Sequence, residues 1–129
     1  MVAAFAERGG LELSVLHDRN PLFVRLSDGS IRDGYTVKIE NETGEAQLYA
    51  LYATGLSGAL LHVAEQEEPP IAAETGVTLA VKGDSIGTFR VYLQLPRGGK
   101  AEQPFTFTVR AVASGETATY RASFRGPEH

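Results

Sequence analysis

Two stretches of this chain alternate apolar and polar residues so strictly that only one backbone geometry can use the pattern. Phe105, Phe107, Val109 and Ala111 alternate with Thr106, Thr108 and Arg110, and Tyr35, Val37 and Ile39 alternate with Thr36, Lys38 and Glu40. A period of two places one set on one face of a strand and would scatter it around a helix. The same period recurs in Leu11, Leu13 and Val15, in Val77, Leu79 and Val81, in Phe89, Val91, Leu93 and Leu95, and in Tyr120, Ala122 and Phe124. Clusters of Gly, Pro, Asn and Asp separate these runs, and no stretch has helical period. The pattern predicts an all-β, antiparallel sandwich of about seven or eight short strands.

Size and composition narrow this further. A chain of 129 residues with 43% hydrophobic and 22% charged residues is one ordinary domain, neither disordered nor membrane-embedded. The organisation expected is a lead-in over 1–10, the sandwich over 11–125 and a flexible tail over 126–129. A net charge of −4, with the basic residues scattered, disfavours nucleic acid and anionic membrane surfaces as partners. Arg90, Arg110 and Arg121 occupy polar positions of alternating runs, as on the wet face of a sheet. No apolar run reaches the roughly 20 residues of a membrane-spanning helix, so direct membrane insertion of this segment is not expected. With no Cys there can be no disulfide, iron–sulfur cluster or zinc ribbon within it. The lack of both Cys and Trp excludes an antibody-type domain and leaves an immunoglobulin-like or fibronectin-type variant.

The densest punctuation lies in Asp18 to Asn41, DRNPLFVRLSDGSIRDGYTVKIEN. Asn20 and Pro21 should set the bend after the first strand, and the pair is permitted a cis bond. Gly29 and Gly34 should take conformations closed to other residues, with Asp33-Gly34 as a turn and Tyr35 opening the inward face of the next strand. Arg19 has two readings: paired to Asp18 or a backbone carbonyl it is structural, and exposed it is a contact for a partner protein. Residues 41–45 read as a hairpin turn with Gly44 available for a positive φ. Asn41-Glu42-Thr43 also matches a glycosylation acceptor, for which the turn is a sufficient explanation. In residues 46–52 the apolar run is nearly continuous, so alternation leaves its inward face open. Ser114-Gly115-Glu116 should close a hairpin between the last two strands.

Nothing in this pattern assembles catalytic chemistry. His17 reads as a turn residue beside Asp18, His62 as a half-buried, hydrogen-bonded strand residue and His129 as terminal. A copper site would need Cys, Met or clustered His, and the one Met is Met1. The acid pairs Asp28 with Asp33 and Glu67 with Glu68 fall in turn-like segments, where carboxylates bond nearby backbone N–H groups. Residues 55–58 lack the spacing of a serine elbow and residues 82–84 that of a phosphate loop. The expectation is no catalytic, cofactor-binding or metal-ligating residue.

The run from Leu13 to Asn41 resembles the start of the C-terminal domain of the FixG/CcoG family, accessory proteins of cbb3-type cytochrome c oxidase. Asp18-Arg19-Asn20-Pro21-Leu22 and Asp28-Gly29-Ser30-Ile31-Arg32-Asp33-Gly34-Tyr35 carry the likeness, with Asp33 where the family typically has Asn. The resemblance implies an immunoglobulin-like, non-catalytic domain on the periplasmic side of the bacterial inner membrane, within a longer membrane protein. Iron–sulfur clusters and the reduction of copper would belong to cysteine-bearing parts outside this chain. The partners implied are the membrane-bound remainder of the same protein and oxidase subunits or copper-delivery proteins. Asp18, Arg19, Asn20, Pro21, Gly29, Gly34 and Tyr35 would form the structural motif or a partner contact. The alternatives are a ligand-binding or adhesive sandwich of a secreted protein and a direct copper carrier.

Overall fold

A computed structural model describes residues 11–96 and 102–127. The expected lead-in over 1–10 and His129 lie outside them. Within the described residues the chain forms ten strands: β1 (Leu11–His17), β2 (Val24–Arg25), β3 (Ile31–Asn41), β4 (Gln47–Thr54), β5 (Leu60–Val63), β6 (Ile71–Ala72), β7 (Val77–Val81), β8 (Ser85–Leu95), β9 (Glu102–Ala111) and β10 (Thr117–Arg125). The excess over seven or eight comes from β2 and β6, two-residue pieces that no alternation can announce.

The strands form two antiparallel sheets. One has the order β1-β3-β8-β5-β6, with β2 also on β3, and the other β10-β9-β4-β7. β1 and β10 are therefore both edge strands, and they run past each other on the same side of the sandwich. Between the sheets lies one apolar core. Val37, Ile39, Val91 and Leu93 from the first sheet and Leu51, Phe107, Val109 and Phe124 from the second are fully buried in it. Tyr35 meets Phe105 and Phe107 edge to face, with centroids 5.8 and 5.3 Å apart, and so stitches the two sheets together.

The face left open in residues 46–52 is settled by pairing. β4 lies between β9 and β7, with Tyr49, Leu51 and Ala53 inward and Leu48 exposed. The β9–β10 hairpin forms as expected, with Gly115 at φ 80° in its turn. Two expectations fail at the β3–β4 connection and along β10. Residues 41–45 do not close a hairpin, because β3 and β4 belong to different sheets and the segment crosses between them; Gly44 takes no positive φ. Tyr120, expected on the inward face with Ala122 and Phe124, remains 38% exposed, because β10 is an edge strand and its end is uncovered there.

Candidate interaction site at the crossing of β1, β3 and β10

The alternation of Tyr35, Val37 and Ile39 extends further than expected. β3 runs from Ile31, and its inward face reads Ile31, Asp33, Tyr35, Val37, Ile39, Asn41. Asp33-Gly34 is thus not a turn. Asp33 pairs with Leu93 and Gly34 with Tyr92 in the middle of the sheet, and strand pairing outweighs the local turn preference of Asp-Gly. In the sequence only Ile31 hints at the longer strand, because the charged Asp33 at an inward position interrupts the alternation.

This register carries a carboxylate into the interior. Asp33 is fully buried, and its Oδ2 accepts hydrogen bonds from the backbone N–H of Arg125 at 2.6 Å and from His17 Nε2 at 2.7 Å. Its Oδ1 has no partner among the described residues. Burial raises the Asp33 pKa above the usual carboxylate range, against the opposing pull of His17 and the Arg125 N–H. For His17, burial favours the neutral ring, but the hydrogen bond to Asp33, the Asp18 carbonyl beside Nδ1 and both carboxylate charges outweigh it and raise the pKa. His17 is therefore no turn residue. It ends β1, stands edge-on to Tyr35 and clamps the edge strand to β3.

Tyr35 completes the inner cluster. Its hydroxyl donates to the Ser123 carbonyl at 2.7 Å, so its one proton goes to β10 rather than to Asp33. Burial, then the neighbouring Asp33 carboxylate, push its pKa upward. Asp33 and Tyr35 together bind one N–H and one carbonyl of β10, which is how the first sheet secures the edge of the second.

On the outer face of the same strands lies a second pair. Asp18 receives a two-pronged contact from Arg90, Nη1 to Oδ1 at 2.8 Å and Nη2 to Oδ2 at 2.7 Å, and Nη1 also donates to Thr36 Oγ1. Arg90 holds the Asp18 carboxyl below its usual range and is itself shifted upward. Gly34 has no positive φ; it is needed for room, because a Cβ there would sit 2.6 Å from Asp18 Oδ2 and 3.1 Å from Arg90 Nη2. Of the two glycines expected to take special conformations, only Gly29 does, at φ 91° in a turn that Asp28 closes onto the Ser30 N–H and hydroxyl. Asp28 and Asp33 thus have separate partners and form no acid–base pair.

Arg19 is exposed, and Asp18 has Arg90 instead; Arg19 has no hydrogen-bond or ionic partner among the described residues. The Asn20–Pro21 bond is cis. His62 is half-buried with Nε2 at 3.2 Å from the Gln66 carbonyl, and Glu67 and Glu68 are exposed in the following loop. Sequence reasoning also missed Asn41. Fully buried, it donates through Nδ2 to the carbonyls of Glu45, Val81 and Lys82 and accepts through Oδ1 from the Thr43 N–H and hydroxyl. An amide so engaged presents no free nitrogen for glycosylation.

Over its residues 1–127 the chain matches the model of a protein family described as "IG-like fold at C-terminal of FixG, putative oxidoreductase". The chain belongs to this FixG C-terminal family. It is 40% identical over 124 residues to the nitrogen fixation protein FixG of Rhizobium meliloti (strain 1021), covering 93% of this chain and 23% of that protein. It is 36% identical over 133 residues to protein RdxA of Cereibacter sphaeroides, covering 98% of this chain and 27% of that protein. The chain therefore spans about a quarter of the length of these relatives. In fold it is similar to a FixG-related protein from Vibrio parahaemolyticus, with a TM-score of 0.72 and 20% identity over 90% of this chain and 95% of that one. The immunoglobulin-like sandwich read from the alternation is the fold of the FixG C-terminal domain.

Among the described residues no cluster of His, Asp and Glu is placed to hold a metal ion, and no helix is long and apolar enough to cross a membrane. The polar groups at the β1–β3–β10 crossing are joined to one another and to the backbone. The arrangement ties the edge strands β1 and β10 to β3.

Proposed function

We propose that this domain is the exported-side interaction and positioning module of a membrane-bound accessory protein for assembly of cbb3-type cytochrome c oxidase. Membership of the FixG C-terminal family carries the reading, because the chain corresponds to only about a quarter of FixG. Redox work on copper and iron–sulfur clusters is assigned to the remainder of the protein. The residues here do not fit a cluster, since the chain has no Cys to ligate one. The domain's partners are the membrane-bound remainder of its own protein and oxidase subunits or copper-delivery proteins on the periplasmic side. Its contribution is a rigid sandwich that presents loops and edges.

The test is deletion of residues 11–125 from the full-length protein with the rest retained at normal abundance. The expected result is impaired oxidase maturation, seen as lowered cbb3 activity in isolated membranes. Normal activity contradicts the reading.

A further inference from the structure

The two edge strands leave a cleft of about 330 Å³ along the seam where β1 and β10 meet. Its chemistry differs from that of the molecule as a whole. Leu16, Leu22 and Tyr120, three of the seven exposed large hydrophobic residues among those described, all line it, at 65, 37 and 38% exposure. Arg19, Arg121 and Arg125 line it as well, with no carboxylate among the lining residues, although the chain carries 16 acidic against 12 basic residues. Two nearby acids are already engaged: Asp33 is buried behind His17, and Asp18 is paired with Arg90 on the outer face of β3. Arg125 lies 3.9 Å from Glu102, while Arg19 and Arg121 have no ionic partner among the described residues. A surface of this kind combines an apolar floor with unneutralised positive charge.

Beside the cleft, the β10 edge offers main-chain groups. Ser123 pairs with Pro104, which has no N–H to give, so the backbone groups of Ser123 turn outward from the ladder. The Ser123 carbonyl and Arg125 N–H are taken by Tyr35 and Asp33. By the same alternation Thr119 and Arg121 also turn their N–H and C=O outward, and no partner meets them among the described residues. The edge is thus closed at one end and open over Thr119 to Arg121.

Resting on the reading of the domain as an interaction module, we propose that this seam docks an extended acidic segment of a partner protein. The segment pairs its backbone with the open edge of β10, sets apolar side chains against Leu16, Leu22 and Tyr120, and places carboxylates beside Arg19 and Arg121. Charge complementarity selects this occupant over a neutral or basic one, and the open edge selects an extended chain over a helix.

The probe is a short peptide alternating glutamate with leucine, titrated into the 129-residue chain and followed by amide chemical shifts. Expected are shifts at Leu16, Arg19, Leu22 and Thr119 to Ser123, and affinity lowered roughly tenfold or more by the double variant R19E/R121E. Both arginines are exposed, so unchanged spectral dispersion verifies the fold of the variant. No shifts at millimolar peptide, equal binding of a lysine-for-glutamate peptide, or indifference to R19E/R121E overturns the proposal. So does occupation of the same residues by a second copy of the chain, or by anionic phosphatidylglycerol vesicles in place of the peptide. In the full-length protein, R19E/R121E is expected to lower oxidase maturation toward the level of the domain deletion. If deletion impairs maturation and R19E/R121E does not, the seam is overturned while the module reading stands. If deletion itself has no effect, the module reading falls and takes the seam's biological role with it.

Discussion

The inward face of β3 carries a polar residue at each end of its run of Tyr and aliphatic side chains, and the two are built oppositely. Asn41 is neutral and saturated: three carbonyls accept from its Nδ2, and its Oδ1 accepts two bonds from Thr43. Asp33 has a desolvated carboxyl, its two hydrogen bonds converge on Oδ2, and Oδ1 is without a partner among the described residues. A buried polar group stabilises a fold when all its bonds are made and costs free energy when they are not. The Asn41 end therefore reads as a structural staple joining β3 to the β7–β8 turn. The Asp33 end, which lies beneath the Arg-lined seam, holds edge strands in place without contributing comparable stability.

Breaking the staple should have the largest effect. Asn41→Asp removes the three donated bonds and sets a carboxylate against three carbonyls, and should lower unfolding free energy by about 4 kcal/mol in urea titrations at neutral pH. Next comes Gly34→Ala at the other end, where the added methyl has no room beside Asp18 and Arg90. A thermal melt should show a loss of about 2 kcal/mol, most of it steric, because the ion pair is about one-third exposed on both sides and screened accordingly. Tyr35→Phe keeps the ring packing and leaves the Ser123 carbonyl without its donor, for about 1 kcal/mol by the same measurement.

The smallest effect sharpens the contrast through pH. His17 has its folded pKa raised above the unfolded value of about 6.5, so its contribution is present below that pH and is lost as pH rises through the folded value. Asp33 is also raised, so its contribution declines as pH climbs from the ordinary carboxylate value through the folded one. Both act in the same direction. Melting temperature should therefore fall between about pH 6 and 8, and His17→Gln should flatten that slope by several tenths of a kcal/mol. Asn41 does not titrate, and its staple should hold equally across this range.

Legibility in the sequence followed the same division. Strands whose apolar residues alternate, such as β3 from Tyr35 onward and β9, could be read directly because the period of two is a property of the residues themselves. The faces of β4 could not, since Leu48, Tyr49, Ala50, Leu51 and Tyr52 offer apolar character on both sides and only pairing with β9 and β7 decides between them. Asp33-Gly34 was misread as a turn because local propensity ignores the eleven-residue pairing with β8. Of the residues expected to form a motif, Asp18 and Gly34 meet Arg90 on the outer face of β3 and Tyr35 anchors its inner face, whereas Arg19 stands apart and exposed. The partners that explain them, Arg90 and Ser123, lie 72 and 88 positions away, a distance over which no spacing rule operates.

The most direct test of the difference between the two ends is the unfolding free energy of Asp33→Asn in urea at pH 7. This substitution removes a desolvated carboxylate and leaves an amide that can still accept from the Arg125 N–H. The two ends being built as described, stability should change by less than about 1 kcal/mol. A loss of 3 kcal/mol or more, on the scale expected for Asn41, would show that Asp33 is as much a staple as Asn41 and would contradict the account.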